Sequence, residues 1–143
     1  MAKSRKQGPD AAGGGTKFTI KSKIWVEDET GHVVFGAGRL QILTAIEQHG
    51  SILSAAKGLG MSYRAVWGKI RATEERLGQQ LLTKRTGGAR GGGSELTPFG
   101  KALVEHFRHL EALTKASADT LFQGFFAGAL VEEGSPEAPH HGG

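Results

Sequence analysis

The chain has 143 residues, 38% apolar and 22% charged, enough for one domain with a modest core and ordinary for a soluble globular protein. No apolar run approaches the roughly 20 residues of a bilayer span. With no cysteine, disulfides, thiolate catalysis and cysteine-based zinc sites are excluded, and a cytoplasmic setting is expected.

Residues 1–16, which include AAGGG, read as a disordered basic tail, and 124–143, which include SPEAPHHGG, as a flexible acidic one. Adjacent His140 and His141 supply too few fixed ligands for a metal site, and no metal or cofactor is expected. Between the tails, Phe18, Ile20, Ile24 and Val26 alternate with Lys17, Lys21, Lys23 and Glu27, which predicts a half-buried strand. Asp28-Glu29-Thr30-Gly31 supplies a turn, and His32 to Phe35 returns as the second strand of a hairpin.

The period then changes to 3.6. Leu40, Leu43 and Ile46 predict a first helix, flanked by Ile42 and ended near Gly50. Ser51 or Ser54 caps a second helix carrying Leu53, Ala55, Ala56 and Leu59, and Ser62 caps a third in which Tyr63, Val66, Ile70, Thr73 and Leu77 recur at helical spacing. Leu59-Gly60-Met61-Ser62 has the length of a helix-turn-helix turn. Ala56 is small enough for close helix approach, Gly60 can take the positive φ of the turn, and Val66 fills the angle between the helices.

Leu81 to Arg85 and Glu95 to Thr97 are short β-like runs around a glycine-rich loop, the pattern of a wing. A nucleotide-binding loop fails on detail, because no Gly-Lys-Ser/Thr follows and no helix follows directly. Thr97-Pro98 opens a long helix, with Thr as cap and Pro at the first helical position. Its apolar stripe, Phe99, Leu103, Phe107, Leu110 and Leu113, exceeds what three short helices can cover, which predicts a homodimer built on those residues. The alternative is a helix that folds back on its own domain. The expected fold is thus mainly α with small β: a winged helix-turn-helix over 17–123, with an N-terminal β-hairpin and a C-terminal dimerisation helix from about residue 98.

Charge is unevenly placed. From Ser62 to Arg90 seven basic residues accompany two acidic ones, a balance of +5, whereas from Pro98 onward three basic residues face six acidic ones, a balance of −3. A basic middle beside an acidic end suggests a polyanion-facing surface, with double-stranded DNA as the partner. With Val66, Ile70 and Leu77 turned inward, Arg64, Ala65, Gly68, Lys69 and Ala72 are left on the outer face of the third helix. Arg64 suits a bidentate contact to guanine, Gly68 permits close approach, and Lys69 or Arg71 takes base or phosphate. Ser62 and Tyr63 offer hydroxyls to phosphate, Lys84 and Arg85 hold the flanking backbone, and Arg90 enters the minor groove. Trp67 suits either packing or contact.

Gly50-Ser51-Ile52, Ser62-Tyr63-Arg64 with Trp67, Thr86-Gly87-Gly88 with Gly91-Gly92-Gly93, and Leu96-Thr97-Pro98-Phe99-Gly100 together span roughly Phe18 to Phe122. In these features the chain resembles the N-terminal DNA-binding domain of ModE-type molybdate-responsive regulators, itself similar to the winged helix-turn-helix of LysR-type regulators. The resemblance implies that the third helix reads DNA, the wing grips it and the long helices form the dimer. It also implies a transcription regulator of molybdate, tungstate or related metal metabolism. Two departures stand out. The wing is one residue longer before its basic residue than the family pattern. Full-length members also continue into β-rich molybdate-binding modules, which this chain is expected to lack, so an oxyanion effector is implied by the resemblance alone. The competing reading is a protein-interaction module on the same scaffold without specific DNA binding. An enzyme is not expected, since no His, Ser and Asp set converges by spacing.

Overall fold

The computed structural model describes residues 17–85, 92–127 and 129; the expected wing tip with Arg90, the first tail and most of the second lie outside them. The elements are β1 (Trp25–Glu27), β2 (Val33–Gly36), α1 (Ala37–His49), α2 (Ile52–Leu59), α3 (Tyr63–Leu77), β3 (Leu82–Lys84), β4 (Ser94–Leu96) and α4 (Pro98–Phe122), which runs on into a π-helical turn, Gln123–Ala127. Packing distinguishes two units. Lys23–Ala112 holds the core, the helix-turn-helix and both small sheets; residues 17–22 and those from Leu113 onward belong to the other.

In the larger unit α1 is the central helix, covered by α2, α3, β2 and β4. Because it is packed on several sides, Ile42, expected as a flank, is as buried as Leu43 and Ile46. Around it close Ala55 and Ala56 of α2, Val66 and Ile70 of α3, Val34 and Phe35 of β2, Leu81 and Leu96 at the wing base, and Val104 and Phe107 of α4. Among the described residues a single buried polar side chain joins them: the Thr73 hydroxyl donates to the Val34 carbonyl at 2.7 Å, tying α3 to β2. This bond satisfies a group whose burial unpaired would cost about 1–3 kcal/mol.

Both sheets are antiparallel pairs. In the hairpin Trp25 faces Gly36 and Val26 faces Phe35, with a register shift before Glu27 pairs with Val33. The expected long first strand is three residues instead. Only β2 lies on the core, so the apolar residues of β1 find no cover, and Val26 and Trp25 are exposed; of the alternating set Ile24 alone packs against the core. The hairpin turn is held by Asp28. Its Oδ1 accepts from the Thr30 hydroxyl and amide and the His32 amide, and its Oδ2 accepts from Arg76 Nε of α3 at 3.2 Å. The Thr30 hydroxyl above all, then the His32 amide, holds the Asp28 carboxyl well below the usual carboxylate range.

The start of α4 follows the sequence expectation. Thr97 Oγ1 accepts from the Gly100 amide at 2.9 Å and donates to the Gln80 carbonyl at 2.8 Å. Part of the apolar stripe of α4 lies in the protomer's own core rather than on a dimer face. Phe107 is only 4% exposed and meets Phe35 edge-on with ring centroids 5.2 Å apart, so it belongs to the protomer's own core. Phe99 and Leu103 pack partly against that core as well. The stripe is shared because a helix docked on a small core buries its first turns there. Leu110 and Leu113 remain exposed.

In the other unit, Phe122 is buried and stacks with Phe126, centroids 6.1 Å apart, while Leu121, Phe125 and Phe126 are exposed. Lys115 and Asp119 form a pair at 3.1 Å, one turn apart on the helix.

Candidate nucleic-acid interface

The site begins with two serines that start helices. Ser51 Oγ accepts from the Ser54 amide and Ser62 Oγ from the Ala65 amide, each at 3.0 Å, which settles the cap of α2 on Ser51. Between the helices Gly60 takes φ +70°, and the Met61 amide returns to the Ala56 carbonyl at 2.9 Å, so the chain reverses within the four residues Leu59 to Ser62. Ala56 and Val66, both fully buried, fill the angle so formed.

With Val66, Ile70 and Thr73 facing the core, the 100° step of an α-helix places Arg64, Gly68, Arg71 and Glu75 in a line on the opposite side. All four are exposed, and a Cβ built on Gly68 meets nothing within 4 Å. Ala65 is exposed beside the line. Lys69 lies on one flank and helps line a small cleft of about 140 Å³ with Gly38, Arg39 and Met61. There burial, reinforced by the Arg76 charge, lowers the Arg39 pKa.

Tyr63 and Trp67 occupy the other flank, which faces the wing base. With Leu53 of α2, Arg71, and Thr83 and Lys84 of β3, they line an open cleft of about 550 Å³. Trp67 is 43% exposed, and the Arg71 guanidinium lies over its ring, 5.2 Å from the centroid. Arg71 also donates to Glu75 at 3.3 Å. The indole is therefore neither fully packed nor free: one face carries an arginine.

The wing base is fixed to the helices. β3 and β4 pair from Leu82–Leu96 to Lys84–Ser94. Glu74 accepts from the Leu81 amide at 2.8 Å and so holds the entry to β3. The Gly50 carbonyl accepts from both the Ser94 amide at 2.9 Å and Arg85 Nη2 at 3.1 Å. Arg85, expected on the DNA backbone, thus directs its guanidinium to the α1–α2 turn and braces the wing. Gly93 makes this junction possible, since a Cβ there would stand 2.6 Å from the Gly50 carbonyl oxygen, at φ +145°. Lys84 is exposed at the cleft edge; Arg90 lies outside the described residues.

The structure thus brings Arg64, Gly68, Arg71, Tyr63 and Lys84 to one side of α3 and its wing-facing cleft, sets Lys69 on the other flank, and engages Arg85 internally. Sequence spacing leaves Trp67 open between packing and contact and assigns no role to Leu53 or Glu75. The exposed aromatic at an i, i+4 step from Arg71 was the available signal. Among the described residues no group of three His, Asp or Glu could hold a metal ion, and no helix is long and apolar enough to cross a membrane.

Helix, turn, helix and braced two-stranded wing, built on a long closing helix, define a winged helix-turn-helix domain. Residues 38–101 match the family described as bacterial regulatory helix-turn-helix protein, lysR family. It is 40% identical over 77 residues to the molybdenum-pterin-binding protein MopB of Rhodobacter capsulatus, covering 54% of this chain and 28% of that protein. It is 37% identical over 83 residues to the molybdenum transport protein ModE of Azotobacter vinelandii, covering 58% and 31%. Among solved structures, a CbnR DNA-binding domain in complex with DNA is 30% identical with a TM-score of 0.47, covering 61% of this chain and 94% of that one. The chain spans less than a third of the length of these curated relatives.

Proposed function

We propose that this chain is a sequence-specific, DNA-binding transcription regulator that acts as a homodimer in the cytoplasm, without enzymatic activity. The observation that carries the reading is the exposed line Arg64–Gly68–Arg71 on α3, beside a cleft whose far wall presents Lys84. A major groove admits one α-helix. In it, Arg64 near the helix N-terminus contacts guanine, Gly68 lets the backbone approach the groove floor, and Tyr63 and Lys84 hold phosphates on the wing side. Ser62 has its oxygen engaged as a cap and keeps its hydroxyl proton for phosphate. Arg90 reaches the minor groove.

Leu110 and Leu113, exposed on α4, form the contact with a second copy. A twofold pair then reads an inverted repeat. The regulated genes serve molybdate or tungstate metabolism. This rests on the similarity to relatives named for molybdenum transport and molybdenum-pterin binding, and an oxyanion effector rests on the same ground.

The test is selection of duplexes from a random pool by the full chain, followed by salt titration of the selected sequence. We expect an inverted repeat with half-sites about one helical turn (~34–36 Å) apart. The affinity should fall with salt at a log–log slope of about −0.9 per phosphate contacted. No enrichment together with salt-independent binding would refute the proposal and favour a protein partner.

A further inference from the structure

Trp67 and Glu75 take no part in the DNA contacts proposed above. Arg71 stands between them on one helix. The indole of Trp67, one turn before, underlies its guanidinium at 5.2 Å, and Glu75, one turn after, accepts a hydrogen bond from Nη2 at 3.3 Å. Trp67 is half-exposed although indole is among the most favourable groups to bury, and Glu75 places a negative charge on the line that Arg64, Gly68 and Arg71 present outward. Neither is explained by core packing or by attraction to phosphate.

We propose that Trp67 and Glu75 are positioning residues for Arg71, holding its guanidinium as a base reader and away from the phosphates. The inference rests on the DNA-binding function proposed above. A long arginine side chain has several rotamers, and on an unrestrained helix surface its charge is drawn to the nearest phosphate, which carries no sequence information. Stacking on an aromatic face restricts the guanidinium plane. The Glu75 carboxylate engages one donor, leaves four for a base edge, and repels any phosphate that the same arginine approaches. The clamp lowers general affinity for DNA and raises discrimination at one base pair.

The two effects separate in measurement. Affinities of the full-length wild type, Arg71→Lys, Trp67→Phe, Trp67→Leu and Glu75→Gln would be compared on the selected duplex, on its single-base variants and on a random duplex. Arg71→Lys keeps the charge but loses the planar fork, and should lose about tenfold of discrimination at one base pair while random-duplex binding holds. Trp67→Leu should flatten the preference at that same base pair, and Trp67→Phe, which restores an aromatic face, should recover it to within about twofold. Glu75→Gln should bind random duplex up to about fivefold more tightly while discriminating less.

If Trp67→Leu keeps the wild-type preference, or weakens all duplexes equally, the clamp is refuted while DNA binding stands. A Glu75→Gln variant that changes neither quantity refutes it as well. If Trp67→Leu does not fold, Arg71→Lys and Glu75→Gln decide the matter alone. A wild type without sequence preference removes the parent reading too, and this is seen before any variant is made.

Discussion

Gly93→Ala is the most informative single perturbation of the wing. The added Cβ would stand 2.6 Å from the Gly50 carbonyl oxygen and 2.6 Å from Arg85 Nη2, where ordinary contact begins near 3.4 Å, and the residue sits at φ +145°. One carbonyl accepts both the Ser94 amide and Arg85, so moving it weakens two bonds of about 0.5–1.5 kcal/mol each. The backbone conformation adds about 1–3 kcal/mol for a non-glycine residue. Allowing for partial relaxation, closing the wing onto the helices should become less favourable by at least about 2 kcal/mol.

The assay is amide hydrogen exchange in the native protein. Ser94, whose amide binds Gly50, should exchange about 30-fold faster. The Gly78 amide, which closes α3 on Glu74, should be unchanged, and duplex affinity should fall with the base preference of α3 intact. Ser94 exchange within twofold of wild type, with undiminished affinity, would show that the Gly50–Arg85–Gly93 junction does not brace the wing.

Phe107→Ala should destabilise the protomer by about 3–5 kcal/mol in urea unfolding, as expected for a large buried side chain. Leu113→Ala, at a position 55% exposed, should change protomer stability little and weaken self-association in sedimentation. Thr73→Val leaves the Val34 carbonyl without its buried partner and should cost about 1–3 kcal/mol, whereas Thr73→Ser should recover most of it. Asp28 has a folded-state pKa below its unfolded value of about 3.9. Its stabilising contribution is therefore present above that value and is lost as pH falls through the folded one. Thermal melts below about pH 4 should show this loss in the wild type, and Asp28→Asn should remove that part of the acid dependence.

The framework was legible because its signals are local. Caps at Ser62 and Thr97, the glycine of the turn, and the 3.6-residue period of α3 are each decided within a few residues, and the structure follows them. The alternation from Phe18 to Val26 overstates the N-terminal strand, because it says nothing of whether a core lies beneath it. The stripe along α4 does not reveal where the protomer's own core ends, so Phe107 reads in sequence as a dimer residue; its burial depends on Phe35, 72 residues earlier. Arg85, a basic residue beside a wing, looks free for DNA in sequence until the fold brings the Gly50 carbonyl to it. Glu74 and Glu75 look alike in sequence. One step of 100° turns the first toward β3 and leaves the second on the outer line.

The base-reading role of α3 is tested most directly by the sequence profile of Arg64→Ala beside that of Lys84→Ala, each measured across all single-base variants of the selected duplex. Arg64→Ala should erase the preference at one base pair per half-site and weaken the selected duplex by about 1–3 kcal/mol, while Lys84→Ala should weaken every duplex alike. An Arg64→Ala protein that keeps both the affinity and the sequence profile of the wild type would contradict the assignment of this helix face to DNA.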